Sequence, residues 1–109
     1  MIKTTIYQNH AGQYTGVTCI GHAGFAAYGD DIVCSAVSVL VINTLNAVEA
    51  FTSDAFTART DPDSGLIEVW FEHPAGHDGK LLLDTMILGL QNIQEQYGTD
   101  YSRLTFEEV

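Results

Sequence analysis

The run Gly21-His22-Ala23-Gly24-Phe25-Ala26-Ala27-Tyr28-Gly29-Asp30-Asp31-Ile32-Val33-Cys34-Ser35-Ala36-Val37-Ser38 joins a glycine-rich connection to the head of an apolar helix. Gly21, Gly24 and Gly29 permit backbone conformations closed to other residues, and Phe25 and Tyr28 lie between them. Asp30 or Asp31 can cap the helix that follows, and both complement its dipole. From there to about Phe51 the residues Ile32, Val33, Val37, Val39, Leu40, Val41, Ile42, Leu45 and Val48 leave the helix apolar nearly all round. Such a helix is covered on more than one side. A sheet takes one side; a neighbouring helix and a second subunit are candidates for the others.

Outward from this helix the chain reads as strands. Ile2, Thr4 and Ile6 alternate with Lys3, Thr5 and Tyr7, the pattern of a half-buried strand. Asn9-His10-Ala11-Gly12 carries turn chemistry, and Tyr14 to Ile20 completes a hairpin, with His10 exposed at its turn. Downstream, Ala55–Thr60 and Leu66–Glu72 flank the strong turn Asp61-Pro62-Asp63-Ser64-Gly65. Asp78 is a candidate cap for a second helix from Lys80 to about Tyr97, with Leu82, Met86, Leu90 and Ile93 near one face and Gly98 just past its end. Tyr101–Glu107 is a last strand. The order β-β-α-β-β-α-β predicts one α+β domain over residues 1–109: a two-layer fold with a mixed, mostly antiparallel five-stranded sheet and two helices on one face.

Cys34 is the residue with the most chemistry to offer. In a first helical turn it would feel free N–H groups and the positive end of the dipole, both of which favour a thiolate. A nearby His22 would serve as base or ion-pair partner, and backbone N–H groups near Cys34 as an oxyanion hole. The plainer readings are a small packed core residue for Cys34 and a strand-end loop residue for His22. Asp31 and Ser38 flank Cys34 by one turn on the same face. Asp31 reads as a cap or as the group orienting His22, and Ser38 as a packing residue or a polar member of the site.

Gly21-His22-Ala23, followed by Gly29-x-Asp31-Ile32-Val33-Cys34-x-Ala36-Val37-Ser38, resembles the signature of the Prp family, the bacterial ribosomal-processing cysteine proteases. The length and order of elements fit as well; Ser35 stands where the family has Ala, a small-for-small change. The resemblance implies Cys34 as nucleophile and His22 as general base. It implies a cysteine endopeptidase that removes the N-terminal extension of a large-subunit ribosomal protein, at a bond preceded by an aromatic pair and a small residue. It implies a homodimer. The residues themselves point to a glycine-hinged loop over Gly21, Gly24, Phe25, Tyr28 and Gly29, whose aromatics either pack on the core or cover a bound peptide.

Composition bounds the rest. Hydrophobic residues make up 46% of the 109, enough for one ordered core. Four basic against fourteen acidic residues give a net charge of −10, which repels nucleic acid and anionic membranes and attracts a basic partner such as a ribosomal protein. No uninterrupted apolar run approaches the ~20 residues of a membrane span. Met1–Ile6 reads as a strand rather than a signal peptide, so the expected compartment is the cytoplasm, with Cys19 and Cys34 reduced and Cys19 a small core residue. Cys19-x-x-His22 lacks a compact second pair of metal ligands, and His73 and His77 lie in a loop, so neither metal nor cofactor is expected. Two other functions fit the residues: a non-enzymatic, ribosome-associated binding module using the acidic face, and a cysteine hydrolase of a small molecule.

Overall fold

The computed structural model describes residues 1–21 and 28–109, with the backbone alone for residues 28–31. The elements are β1 (Ile2–Gln8), β2 (Tyr14–Ile20), α1 (Tyr28–Phe51), β3 (Phe56–Asp61), β4 (Leu66–Phe71), α2 (His77–Tyr97) and β5 (Ser102–Glu108). They form one five-stranded sheet in the order β3-β4-β2-β1-β5. β1 and β5 run parallel, and every other pair is antiparallel. The expected mixed sheet with two helices is therefore present, with strand ends displaced by a residue or so at β3, β4 and β5.

Register explains why one face of the sheet is buried. Thr4 opposes Cys19 and Ile6 opposes Val17, while Cys19 opposes Ile67 and Val17 opposes Val69. Side chains alternate along a strand, so these six share a face. Val33, Val37 and Val41 of α1 and Leu83, Met86 and Leu90 of α2 close over that face in a single core. Each such side chain, fully buried, contributes roughly 1.5–3 kcal/mol. The two helices meet closely at Gly89, where a Cβ would lie 2.7 Å from Leu40 Cδ2.

On the opposite face Tyr7 packs on Trp70 with ring centroids 4.6 Å apart, and Thr5 and Thr105 hydroxyls lie 3.1 Å apart. Both faces of β4 thus carry apolar side chains. The first hairpin closes as expected: Asn9 Oδ1 accepts from the N–H groups of Ala11 and Gln13, and the His10 side chain is fully exposed.

Both helix starts differ from the expected ones. α1 begins at Tyr28, so Gly29 is helical and Asp30 and Asp31 are the third and fourth helical residues rather than caps. Glycine costs a helix only about 1 kcal/mol, less than burying Val33 and Val37 returns. α2 begins at His77 with Gly76 as N-cap residue, not Asp78. Asp54, from the α1–β3 connection, does the capping: its carboxylate accepts from the Gly76 N–H at 3.2 and 3.1 Å. Ile32–Phe51 is also long and apolar enough to cross a membrane by composition, contrary to the expectation that no segment approaches such a span. Its polar positions interrupt the apolar run, and Val33, Val37 and Val41 are instead buried in the core against the sheet.

Candidate active site

Cys34 is half-buried and packs against the core with its thiol free. It lies in the second turn of α1, not the first. Its own N–H is therefore within the i→i−4 ladder, and the dipole contribution, which fades beyond the first turn, is reduced. The amides that follow Cys34 in α1 belong to the same ladder, while residues 22–27 before the helix lie outside the described residues.

The position of Cys34 is better explained by the cleft it faces. This cleft, about 360 Å³, is lined by Cys34, Ser38 and Ile42 on α1, by Gly21 after β2, and by Asp61 and Leu66 of the β3–β4 hairpin. Ser38 is thus brought together with Cys34, as their spacing of one turn requires. Gly21 is held where the strand ends. Its φ of +121° is in the region that favours glycine, and a Cβ there would lie 2.2 Å from Met1 O. Its N–H donates to Ser64 O at 3.3 Å, tying the end of β2 to the hairpin.

His22 follows Gly21 in the chain. His22, Gly24 and Phe25, and with them the expected loop over the cleft, lie outside the described residues. So do the side chains of Tyr28 and Asp31, whose backbones, with that of Gly29, belong to the start of α1.

Cys19 behaves as the expected core residue. It is 4% exposed and accepts a hydrogen bond from Thr4 Oγ1 at 3.6 Å. Burial pushes its thiol up, opposed by the Thr4 bond and assisted by the charge of a nearby Cys34 thiolate. A thiol so placed stays protonated at neutral pH and is a poor nucleophile.

The hairpin residues Asp61 and Leu66 are not legible as site residues in the sequence, because they join the cleft only through tertiary packing; Ile42, two turns beyond Cys34 on the same helix, follows from helical spacing. A larger cleft of about 590 Å³ opens at the far end of α1, lined by Phe51, Asp54, His77 and Asp78. It contains no cysteine, and its Asp54 carboxylate is engaged in capping α2. Among the described residues no three His, Cys, Asp or Glu side chains are grouped to hold a metal.

Known proteins resemble this chain along nearly its whole length. The model of the family described as cysteine protease Prp matches residues 1–102. The ribosomal processing cysteine protease Prp of Staphylococcus aureus (strain Mu50 / ATCC 700699) is 33% identical over 97 residues, covering 89% of this chain and 92% of that one. Two solved structures of the S. aureus protease superpose closely. One, with a substrate peptide, has a TM-score of 0.89 at 31% identity, covering 98% of this chain and 100% of that one. The other, with a covalently linked product peptide, has a TM-score of 0.87 at 32% identity and the same coverage. A free thiol at an open cleft, on a fold shared with these proteases, is what a cysteine peptidase requires, and the chain belongs to the cysteine protease Prp family.

Proposed function

We propose that this protease removes the N-terminal extension of a basic ribosomal protein in the cytoplasm, with Cys34 as nucleophile and His22 as general base. The observation that carries the reading is the placement of Cys34: it opens on a cleft whose wall includes Gly21, the residue before His22. The S. aureus relatives hold a substrate peptide and a covalently linked product peptide, which suits the same reaction class here.

In that reaction His22 takes the proton from Cys34. The thiolate attacks the scissile carbonyl carbon, forming the S–C bond. As the C–N bond breaks, His22 returns the proton to the leaving amine. Water, deprotonated by His22, then cleaves the thioester and restores the thiol. Asp31 orients His22, and Ser38 supplies a polar group beside Cys34 in the cleft. A second copy of the chain covers exposed apolar positions of α1 away from the cleft, of which Val39 is 68% exposed.

The test is a cleavage assay on the basic precursor protein. Cys34→Ala and Cys34→Ser remove cleavage while circular dichroism is unchanged. His22→Ala lowers the acylation rate by about 10² or more without loss of peptide binding. Cys34→Ala cleaving at more than about a hundredth of the original rate removes the nucleophile assignment.

A further inference from the structure

The Cys34 cleft continues beyond the thiol. A second cavity of about 200 Å³ shares Ile42, Thr60 and Ile67 with it and ends at Glu49 and Phe56. Together they form one groove between α1 and β3. Its floor is apolar, and Glu49 at its far end is exposed and makes no ion pair with the described residues.

β3 is an edge strand. The Glu72 N–H donates to Ala55 O at 2.9 Å, which makes Ala55 and Glu72 a hydrogen-bonded pair in the β3–β4 register. Such pairs alternate along an antiparallel ladder. Thr57, Arg59 and Asp61 therefore bond to β4, and the N–H and C=O groups of Phe56, Ala58 and Thr60 point outward. The same three residues line the groove with their side chains, and Ala58 and Thr60 are exposed although they lie on the helix-bearing face. The edge is thus unpaired and uncovered by any described element, beside the thiol.

We propose that the acyl half of an extended peptide substrate adds to β3 as a sixth strand, with alternate side chains entering the groove. The inference rests on the reading of Cys34 as a peptide nucleophile. The acyl half is the one joined to the enzyme through both half-reactions, so it is the half a groove leading away from Cys34 retains. It runs parallel to β3. Cys34 and Glu49 are fifteen residues apart on α1, about 22 Å at helical rise, which an extended chain covers in about six or seven residues. Glu49 therefore reads a basic side chain at that distance on the N-terminal side of the scissile bond. Strand addition supplies affinity through main-chain bonds, and the groove supplies selectivity.

The experiment is a series of peptides of one cleavable sequence, extended stepwise on either side of the scissile bond and assayed with the full-length protein. Lengthening the N-terminal side from two residues to seven raises kcat/KM by about tenfold or more, and lengthening the C-terminal side does not. In Cys34→Ala the seven-residue form slows amide hydrogen exchange at Phe56, Ala58 and Thr60 by about tenfold or more. Ala58→Pro, which removes an outward donor where edge strands tolerate proline, abolishes the length effect. Glu49→Lys reverses the preference for Lys over Glu at the sixth or seventh position. Cleavage independent of length, dependence on the C-terminal side alone, or unchanged exchange at the three amides each overturns strand addition and leaves the proteolytic reading intact. Failure to cleave any peptide or the precursor overturns both.

Discussion

The hydroxyl of Tyr14, at the start of β2, donates a hydrogen bond to the carboxylate of Asp84 on α2. Lys80, one turn earlier on α2, lies 2.7 Å from the other oxygen of that carboxylate and 5.6 Å from the centroid of the Tyr14 ring. A phenol, a carboxylate and an ammonium thus fasten the sheet to the second helix at its margin, where the groups are partly screened by solvent.

This arrangement makes stability depend on pH at both extremes. Burial, then the Asp84 hydrogen bond and charge, push the Tyr14 hydroxyl up to about 12 from 10.0. The folded value is above the unfolded one, so the contribution is complete below about pH 10 and is lost as pH rises toward 12. Burial alone would raise Asp84, but hydrogen bonds from Lys80 and Tyr14 and the Lys80 charge outweigh it and hold the group below its ordinary 3.8. That contribution is present above the ordinary value and disappears as pH falls through the folded one. Melting temperature followed by circular dichroism is expected to fall at both ends. Tyr14→Phe costs about 1 kcal/mol at neutral pH and flattens the alkaline fall.

Asp54 and Gly79 are predicted to be energetically coupled. A Cβ at Gly79 would lie 2.1 Å from Asp54 Oδ2, so Gly79→Ala displaces the carboxylate that caps α2. Asp54→Ala alone costs about 1 kcal/mol, the usual value of a cap. Gly79→Ala is destabilising in the native protein, yet in the Asp54→Ala background it is stabilising, because alanine then contributes only its better helix propensity. A double-mutant cycle by urea denaturation measures this change of sign; additive effects would disprove the coupling.

Capture of a basic precursor is expected to depend on salt. With a net charge of −10, association is accelerated by long-range attraction that is screened over roughly 8–10 Å at physiological ionic strength. Stopped-flow association should slow several-fold between low and physiological salt. An on-rate indifferent to salt would reduce the acidic balance to a contribution to solubility.

The fold was legible where its signals are local. Alternation of Ile2, Thr4 and Ile6, the turn around Pro62 and Gly65, and Gly98 past α2 each act within a few residues, and the structure bears them out. Gly98 has φ +98° and its N–H donates to Gln94 O, as a terminating glycine should. The helix starts were misread because the deciding partners are remote. Nothing near Asp78 in the sequence reveals that Asp54, 22 residues before Gly76, supplies the cap. Gly29 reads as loop in the sequence, and the burial of Val33 and Val37 that offsets its helix cost is displayed only by the tertiary structure. The site divides in the same way. Cys34 and Ser38 follow from helical spacing, whereas the walls contributed by Asp61 and Leu66 come from a hairpin more than twenty residues further along the chain.

The parallel pairing of β1 with β5 has a practical consequence. Gly21 touches Met1, so the start of the chain lies beside the cleft that Cys34 faces. β5 runs the length of β1 in the same direction, and the Val109 N–H bonds to Gln8 O at the opposite end of the sheet. Seven residues of strand, about 23 Å, separate that end from Met1. A tether, fluorophore or affinity handle fused after Val109 would project away from the thiol, while the same addition before Met1 would stand at its entrance. Immobilised through Val109, the protein would present its cleft to solution.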